Sequence, residues 1–543
     1  MKTNTLLTIF LLFMALMACD RHPESTGDGV HSAEEPDLTG TLSKYKTDVP
    51  SKILTPDKVN TRIGELTFYD GMPTSVTLEK VYDHLDFLRG VEVFLNFIPA
   101  ASVEALRLGM VSLGADNCNK IVVFEDLMDA RSLFLTGNAS TVYASVFVDL
   151  QKEGPVVVEI PAGAGPGTVN DAFFRFVVDM GAPGPDRKKG GMYLLLPPDY
   201  EGSLKPTPNT FRDNRSVRVN VGGRMHDVWI ARSRSYVNWI ILRGFLEDGR
   251  PEAAATMWKE GLKVYPLAEA SSPPPNTFIN ASGKAFNTIH ANNYEFYKEV
   301  ATVIDREPLS FLDPELRGLA ASIGIVKGRP FAPDARMEKI LKEAVSVGNA
   351  TARSIGLAPR DTSAYLYKGK QWYTGFIGKD YRWLNGDGHA GRNLDARTLF
   401  FYTATVNTPA MALEIPGVGS NYAFCTHDVN GEIFFGEKNY KLNIPANVPA
   451  KDFWSIVVYD PQTRSMLQTD QPFPNKNSQK DALVHNEDGS CDLYFGPAAP
   501  KGKEANWIQT VPGKSWFVLF RIYGPLEPWF NKSWQLNDIE PAG

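Results

Sequence analysis

Short apolar runs broken by Pro, Gly, Asn and Asp clusters dominate the C-terminal part of this chain. Phe453-Trp-Ser-Ile-Val-Val-Tyr459, Cys491-Asp-Leu-Tyr-Phe495 and Trp516-Phe-Val-Leu-Phe-Arg-Ile-Tyr523 are the clearest. Runs of this length between turn residues predict antiparallel strands joined by turns. Their large aromatics, Trp454, Tyr459, Tyr494, Trp516 and Tyr523 among them, suit the pleated faces of a β-sandwich. A second group of β-rich runs fills Lys120 to Tyr200, from Lys120-Ile-Val-Val-Phe124 through Ser140-Thr-Val-Tyr143 to Tyr193-Leu-Leu-Leu-Pro-Pro198.

Between and before these groups the period changes. Leu78, Val81, Tyr82, Leu85 and Leu88 recur at helical spacing behind Ser75 or Thr77 as a cap, and Val103 to Met110 reads as another short helix. Strand-like Val217-Arg-Val-Asn-Val221 and the run ending in Trp239-Ile-Ile-Leu242 lead into a helical region. There Asp313-Pro314 and Pro333-Asp334 look like helix starts, because proline at the first turn gives up no needed hydrogen bond. The expected fold is α+β: a β-rich N-terminal domain over 52–215, a helical insert over 216–370, and an antiparallel, jelly-roll-like β-sandwich over 371–543.

The first residues change the picture of where the chain resides. Lys2, the apolar stretch Leu6 to Met17 and Leu16-Met-Ala-Cys19 read as a secretion signal over 1–18. Leu-x-Ala-Cys resembles the lipobox of bacterial lipoproteins, which makes Cys19 the expected lipidation site and the membrane a partner through that lipid. The polar stretch over 19–51 reads as a flexible tether. No later run has the length and apolarity expected of a spanning helix. A net charge of −6 without basic blocks argues against nucleic acid as a partner. Of the other cysteines, Cys425 and Cys491 either pair or, with Cys118, are buried small hydrophobes.

The order of motifs carries a resemblance. Asn138-Ala-Ser-Thr-Val-Tyr143, Gly154-Pro-Val-Val157, Tyr193-Leu-Leu-Leu-Pro-Pro198, Asn421-Tyr-Ala-Phe424, Asp428-x-x-Gly431 and Arg521-Ile-Tyr-Gly-Pro525 resemble the paired DUF1254/DUF1214 domains of bacterial envelope proteins. The likeness runs from about Ser75 to Trp534. It implies a cell-envelope location, on the periplasmic side of the inner or outer membrane, and no particular activity. The family's first motif reads approximately Asn-x-Asp-Thr-x-Tyr, whereas this chain has Ser140 in place of the Asp. Any role of that carboxylate is lost here.

The common catalytic signatures are missing. Gly417-Val-Gly-Ser420 falls short of a nucleophile elbow, the Gly163 turn has the wrong spacing for a dinucleotide, and there is no HExxH. No organic cofactor is expected, and a divalent metal stays open through two weak ligand pairs, Asp387 with His389 and His427 with Asp428. Arg521 lies inside an apolar strand, where a guanidinium needs an acidic ligand or a structural acceptor. Asp470 sits in a polar loop pinned by Pro472 and Pro474, the kind of ordered loop that carries function. Asp470, Arg521 and Tyr143 are therefore the candidate catalytic groups. Asn138, Thr141, Trp454, Trp507 and Tyr523 are candidate binding groups, each equally suited to a buried structural role. Two functions stay open: a lipid-anchored hydrolase of a carbohydrate or ester, with its site between the two β domains, or a non-catalytic ligand- or partner-binding lipoprotein. The expected partners are a small molecule or glycan, the membrane, and a second copy in a homo-oligomer.

Overall fold

A computed structural model describes residues 46–208, 215–386, 389 and 391–542. The signal segment, Cys19 and most of the tether lie outside the described residues. The chain divides into one unit ending at Tyr82 and a second running from Asp83 to Gly543. In the first unit, strands Lys58–Thr61, Gly64–Tyr69 and Met72–Pro73 form a three-stranded antiparallel sheet. Thr77 ties it together, since its hydroxyl donates to the Thr67 carbonyl at 3.0 Å and accepts from the Thr67 amide at 2.8 Å.

The second unit is α+β, and two β-sandwiches account for most of its strands. In the N-terminal sandwich a six-stranded sheet runs in the order Thr277–Asn280, Lys120–Val123, Val142–Asp149, Val237–Gly244, Pro166–Asp171 and Phe176–Gly181. A five-stranded sheet runs Val217–Val221, Arg224–Arg232, Gly191–Leu196, Val156–Ile160 and Lys263–Pro266. Side chains alternate along each strand. Val142, Ala144, Val146 and Val148 therefore meet Val156, Val158, Tyr193 and Leu195 in one core. Tyr143, Phe147, Trp239 and Ile241 point out of the opposite face. Five strands between Val217 and Asn280 thus belong to this sandwich, and the helical portion begins later than 216. The reason is that Val217 to Gly244 reads as β-branched strand and pairs with strands distant in sequence.

The C-terminal sandwich repeats the logic. One sheet contains Ser420–Cys425, Ser515–Pro525, Ala450–Tyr459 and Asn475–Asn477, with Phe434–Phe435 also pairing on the 515–525 strand. The facing sheet runs Trp507–Gln509, Cys491–Gly496, Asn439–Ile444 and Glu540–Ala542. All pairings are antiparallel except 491–496 with 507–509. Trp516, Val518, Phe520 and Ile522 fill the sandwich, while Phe517 and Leu519 face away from it. Cys425 and Cys491 are buried in this core as free thiols, and Cys118 is likewise buried and free.

The two outward faces meet a shared central core supplied largely by helices. Glu295–Arg306, Ala335–Leu357 and Leu394–Thr403 contribute Phe296, Leu341, Val345, Leu399 and Phe401 to it. Asp313 and Asp334 cap helices Pro314–Ser322 and Ala335–Leu357, each carboxylate accepting from the backbone amide three residues on at 2.8 Å. Such caps are worth about 1 kcal/mol each. The expectation of two short helices around an apolar segment gives way to one helix, Ser75–Ser112, which carries Pro99 inside it. An internal proline costs about 3 kcal/mol. Val93, Phe94, Phe97 and Ile98 are fully buried in the turns before it and offset that cost at about 1.5–3 kcal/mol per side chain. Among the described residues only this helix is long and apolar enough to cross a membrane, contrary to the sequence reading. Its most apolar stretch is 78% buried within the fold, as a core helix would be.

Candidate functional site

Where the outward faces of the two sandwiches approach each other they leave a cavity. Each side contributes an arginine opposite a tyrosine on the neighbouring strand. Arg243 faces Tyr143 across the 237–244 and 142–149 strands, and Arg521 faces Tyr422 across the 515–525 and 420–425 strands. All four side chains line the cavity, as do Asn138 and Tyr523. Its remaining wall is largely apolar, with Ile241, Phe376, Phe400, Met411 and Leu519. The space open to water centres is about 50 Å³, several times the ~10–15 Å³ that a single water requires.

The loop before the 142–149 strand is held in place from the other sandwich. Arg521 donates to the Thr136 carbonyl at 2.6 Å and the Tyr459 hydroxyl at 2.7 Å, and approaches the Gly137 carbonyl at 3.5 Å. The Tyr459 hydroxyl in turn donates to the Gly137 carbonyl at 2.7 Å. Asn138 closes an Asx turn, its side-chain oxygen accepting from the Ser140 amide at 2.9 Å. Its amide nitrogen donates to the Tyr523 hydroxyl at 2.9 Å and to Thr141 Oγ1 at 3.2 Å. Both carbonyls and the Asn138 amide are therefore committed to structure, whereas among the described residues Arg243 forms no ion pair with a carboxylate.

The electrostatics are those of a cationic pocket. Among the described residues, neither Arg243 nor Arg521 is in an ion pair with a carboxylate. Burial opposes both guanidinium charges, and the phenols of the surrounding tyrosines outweigh it, so both arginines stay charged. Burial pushes the Tyr143 phenol upward, but Arg243 and Arg521, with hydrogen bonds from Arg243 and Asn138, bring it below its ordinary value. Tyr459 and Tyr523 move the other way, because burial wins there. The Asp179 carboxyl feels the Arg243 charge. Burial pushes it up to about 7, against the hydrogen bonds of Thr408 and Thr168 and the Arg243 charge. At that value it is only partly ionised at neutral pH and compensates little.

Of the residues singled out from sequence, Arg521, Tyr143, Asn138 and Tyr523 converge on the cavity, and Thr141 is fully buried behind Asn138. Three others do not reach it. Asp470 is exposed, its backbone amide and carboxylate both engaged by the Gln509 side chain at 2.9 and 3.0 Å. Trp454 stacks on Phe520 inside the C-terminal sandwich, and the Trp507 indole donates to the Gly496 carbonyl at 2.9 Å. A proline-pinned loop and large aromatics thus serve the sandwich edge and core. Arg243, Tyr422 and Tyr459 were missed. Arg243 carries the same signal as Arg521, a lone cation at the end of an apolar strand run (Trp239-Ile-Ile-Leu-Arg243). No group of three or more His, Cys, Asp or Glu side chains that could hold a metal occurs among the described residues.

Fold and site together define a two-sandwich protein with an arginine–tyrosine cavity at the junction. Residues 118–266 match the model described as Protein of unknown function (DUF1254), and residues 419–527 match Protein of unknown function (DUF1214). The chain carries both domains in the paired order that its motifs predict. Asn138, Tyr143 and Arg243 fall in the first matched range, Tyr422, Arg521 and Tyr523 in the second, so the cavity needs both. A crystal structure of the VPA0106 protein from Vibrio parahaemolyticus is similar at 16% identity and a TM-score of 0.49, covering 84% of this chain and 100% of that one. An uncharacterized protein from Burkholderia cenocepacia is similar at 11% identity and a TM-score of 0.34, covering 85% and 95%. A search of curated proteins finds no match.

Proposed function

We propose that this protein binds a small organic anion, a carboxylate carried on an apolar body, in the junction cavity. The observation that carries the reading is the pair of charged guanidiniums, Arg243 and Arg521, set in a largely apolar wall without a carboxylate partner. A buried cation is costly unless paired, and a carboxylate is the group an arginine fork fits best. The apolar wall suits the remainder of such a ligand. A neutral glycan would leave both charges uncompensated. Calorimetric titration with carboxylates of increasing apolar length, each beside its neutral amide, tests this. Saturable binding of the acid and not of the amide is expected, and equal binding of both sinks the proposal.

A second reading, hydrolysis of an ester, rests on Tyr143, whose phenol the two arginines make easier to ionise. Its phenolate would take a proton from water as the water oxygen attacks the ester carbonyl. The guanidiniums would hold the resulting oxyanion. The C–O bond then breaks and the leaving alkoxide recovers the proton from Tyr143. Incubating the same carboxylates as their esters and following acid release separates the readings. Release that vanishes in Tyr143→Phe supports catalysis, and intact ester leaves binding alone. We further propose that a lipid on Cys19 anchors the protein on the periplasmic side of the inner or outer membrane. Incorporation of labelled fatty acid that is lost in Cys19→Ala is the expected result.

A further inference from the structure

A second cleft, separate from the junction cavity, concentrates positive charge. Its volume is about 460 Å³, and Arg175, Arg232, Arg234, Arg382, Arg392 and Arg397 all line it. The acids available do not balance them. Asp171 pairs with Arg175 at 2.6 Å and Asp380 with Arg382 at 3.0 Å, while Asp313 is committed to capping its helix. Arg232 donates to the Tyr200 carbonyl at 2.8 Å, Arg397 to the Asn96 side chain at 2.7 Å, and Arg392 to the Arg382 carbonyl. Among the described residues, Arg232, Arg234, Arg392 and Arg397 have no carboxylate partner.

Two further observations point to a missing counter-ion. Nε of Arg397 and one terminal nitrogen of Arg175 are buried with no acceptor, although each N–H is an obligatory donor. The cations also oppose one another. Burial, with the charge of Arg392 and against that of Glu92, brings the Arg397 guanidinium down to about 10. Burial lowers Arg392 too, and Asp380 resists this while Arg382 and Arg175 add to it. Tyr381, Trp383 and Phe401 also line the cleft.

We infer that this cleft binds a multiply charged, phosphate-bearing molecule, independently of the organic-anion site at the junction. A phosphate offers up to two charges and three acceptor oxygens on one tetrahedral centre, and guanidinium forks recognise it bidentately. Four unpaired arginines in one cleft therefore call for more charge than one carboxylate supplies. The apolar lining suits an organic portion attached to the phosphate. The same chemistry occurs on a soluble phosphate ester and on a phospholipid headgroup.

The test is calorimetric titration of the mature chain at low salt with inorganic tripolyphosphate, and separately with short-chain phosphatidic acid below its micellar concentration. Saturable binding of either supports the site, and the tighter of the two identifies the source. Arg234→Ala, an exposed position, combined with Arg392→Ala is expected to weaken binding by at least about tenfold. Arg397→Lys, which keeps the charge and removes the fork, should weaken it as well. Arg521→Met should leave it unchanged, which separates this cleft from the junction. No saturable binding of either probe up to about 1 mM, or equal binding by the double variant, overturns the inference.

Discussion

Replacing Arg521 with Met distinguishes a guanidinium that ties two halves together from one that awaits an anion. Its two short hydrogen bonds, at 2.6 Å to Thr136 and 2.7 Å to Tyr459, join a charged donor to neutral acceptors. Such bonds contribute about 1.5–3 kcal/mol each net, hence about 3–6 kcal/mol together. Against this stands the cost of holding a cation that is 4% exposed without a carboxylate, several kcal/mol per ion. Methionine fills most of the vacated volume, and the Gly137 carbonyl keeps its bond from Tyr459. The two terms nearly cancel. Arg521→Met should cost about 2 kcal/mol or less in the ligand-free protein. Binding of an organic acid should fare much worse, because losing one partner of a buried charge pair costs about 2–5 kcal/mol, at least about thirtyfold in Kd. Urea unfolding followed by tryptophan fluorescence reads the first quantity and calorimetric titration the second. A stability loss above about 5 kcal/mol with carboxylate affinity unchanged would refute the reasoning and make Arg521 a tie.

Three further outcomes are expected. Asp179, raised to about 7 in the folded chain against ~3.9 unfolded, makes a contribution that is complete below about pH 4 and is lost as pH rises through about 7. Asp179→Asn should flatten that part of the stability–pH curve, and identical slopes in the two proteins would dismiss the assignment. Gly109→Ala would set a methyl 2.4 Å from the Asn287 carbonyl oxygen and 2.7 Å from the Thr288 methyl. Overpacking of that kind costs about 1–3 kcal/mol, measurable as a lower urea midpoint; an unchanged midpoint would mean the helix shifts freely. Tyr143, whose phenol the arginines lower, stabilises the fold above its unfolded value of ~10, and that stability is lost as pH falls through its folded value. Ultraviolet difference titration should show the earliest tyrosine ionisation disappear in Tyr143→Phe, and an unaltered curve would contradict the arginine effect.

The strands were legible because their alternation is local. The run Trp516 to Tyr523 shows both its faces in sequence, and Arg521 stood out as a cation within it. Helix starts at Asp313 and Asp334 were readable for the same reason. What was illegible depends on pairing across distance. Arg243 acquires meaning only because the 237–244 strand lies beside Tyr143, 100 residues earlier. Val103 to Met110 reads as a separate short helix, and burial of Phe94, Phe97 and Ile98 carries one helix through Pro99 into it. Asp470 was chosen for a rigid polar loop, yet the rigidity comes from Gln471 and Gln509 bracing the sandwich edge. Proline spacing alone cannot tell bracing from catalysis.

The 515–525 strand has one face in a sandwich core and the other in the cavity, while its partner arginine comes from the opposite half of the chain. Anything that occupies the cavity therefore bridges two segments far apart along the backbone, and the exposed turn at Asn385-Gly386 lies between them. A protease nick in that turn would convert folding into association, with the 118–266 and 419–527 segments on separate fragments. The fragments' affinity for each other would then rise with the concentration of the bound anion. In that state the small molecule acts as a ligand of neither piece alone and as an adhesive for both.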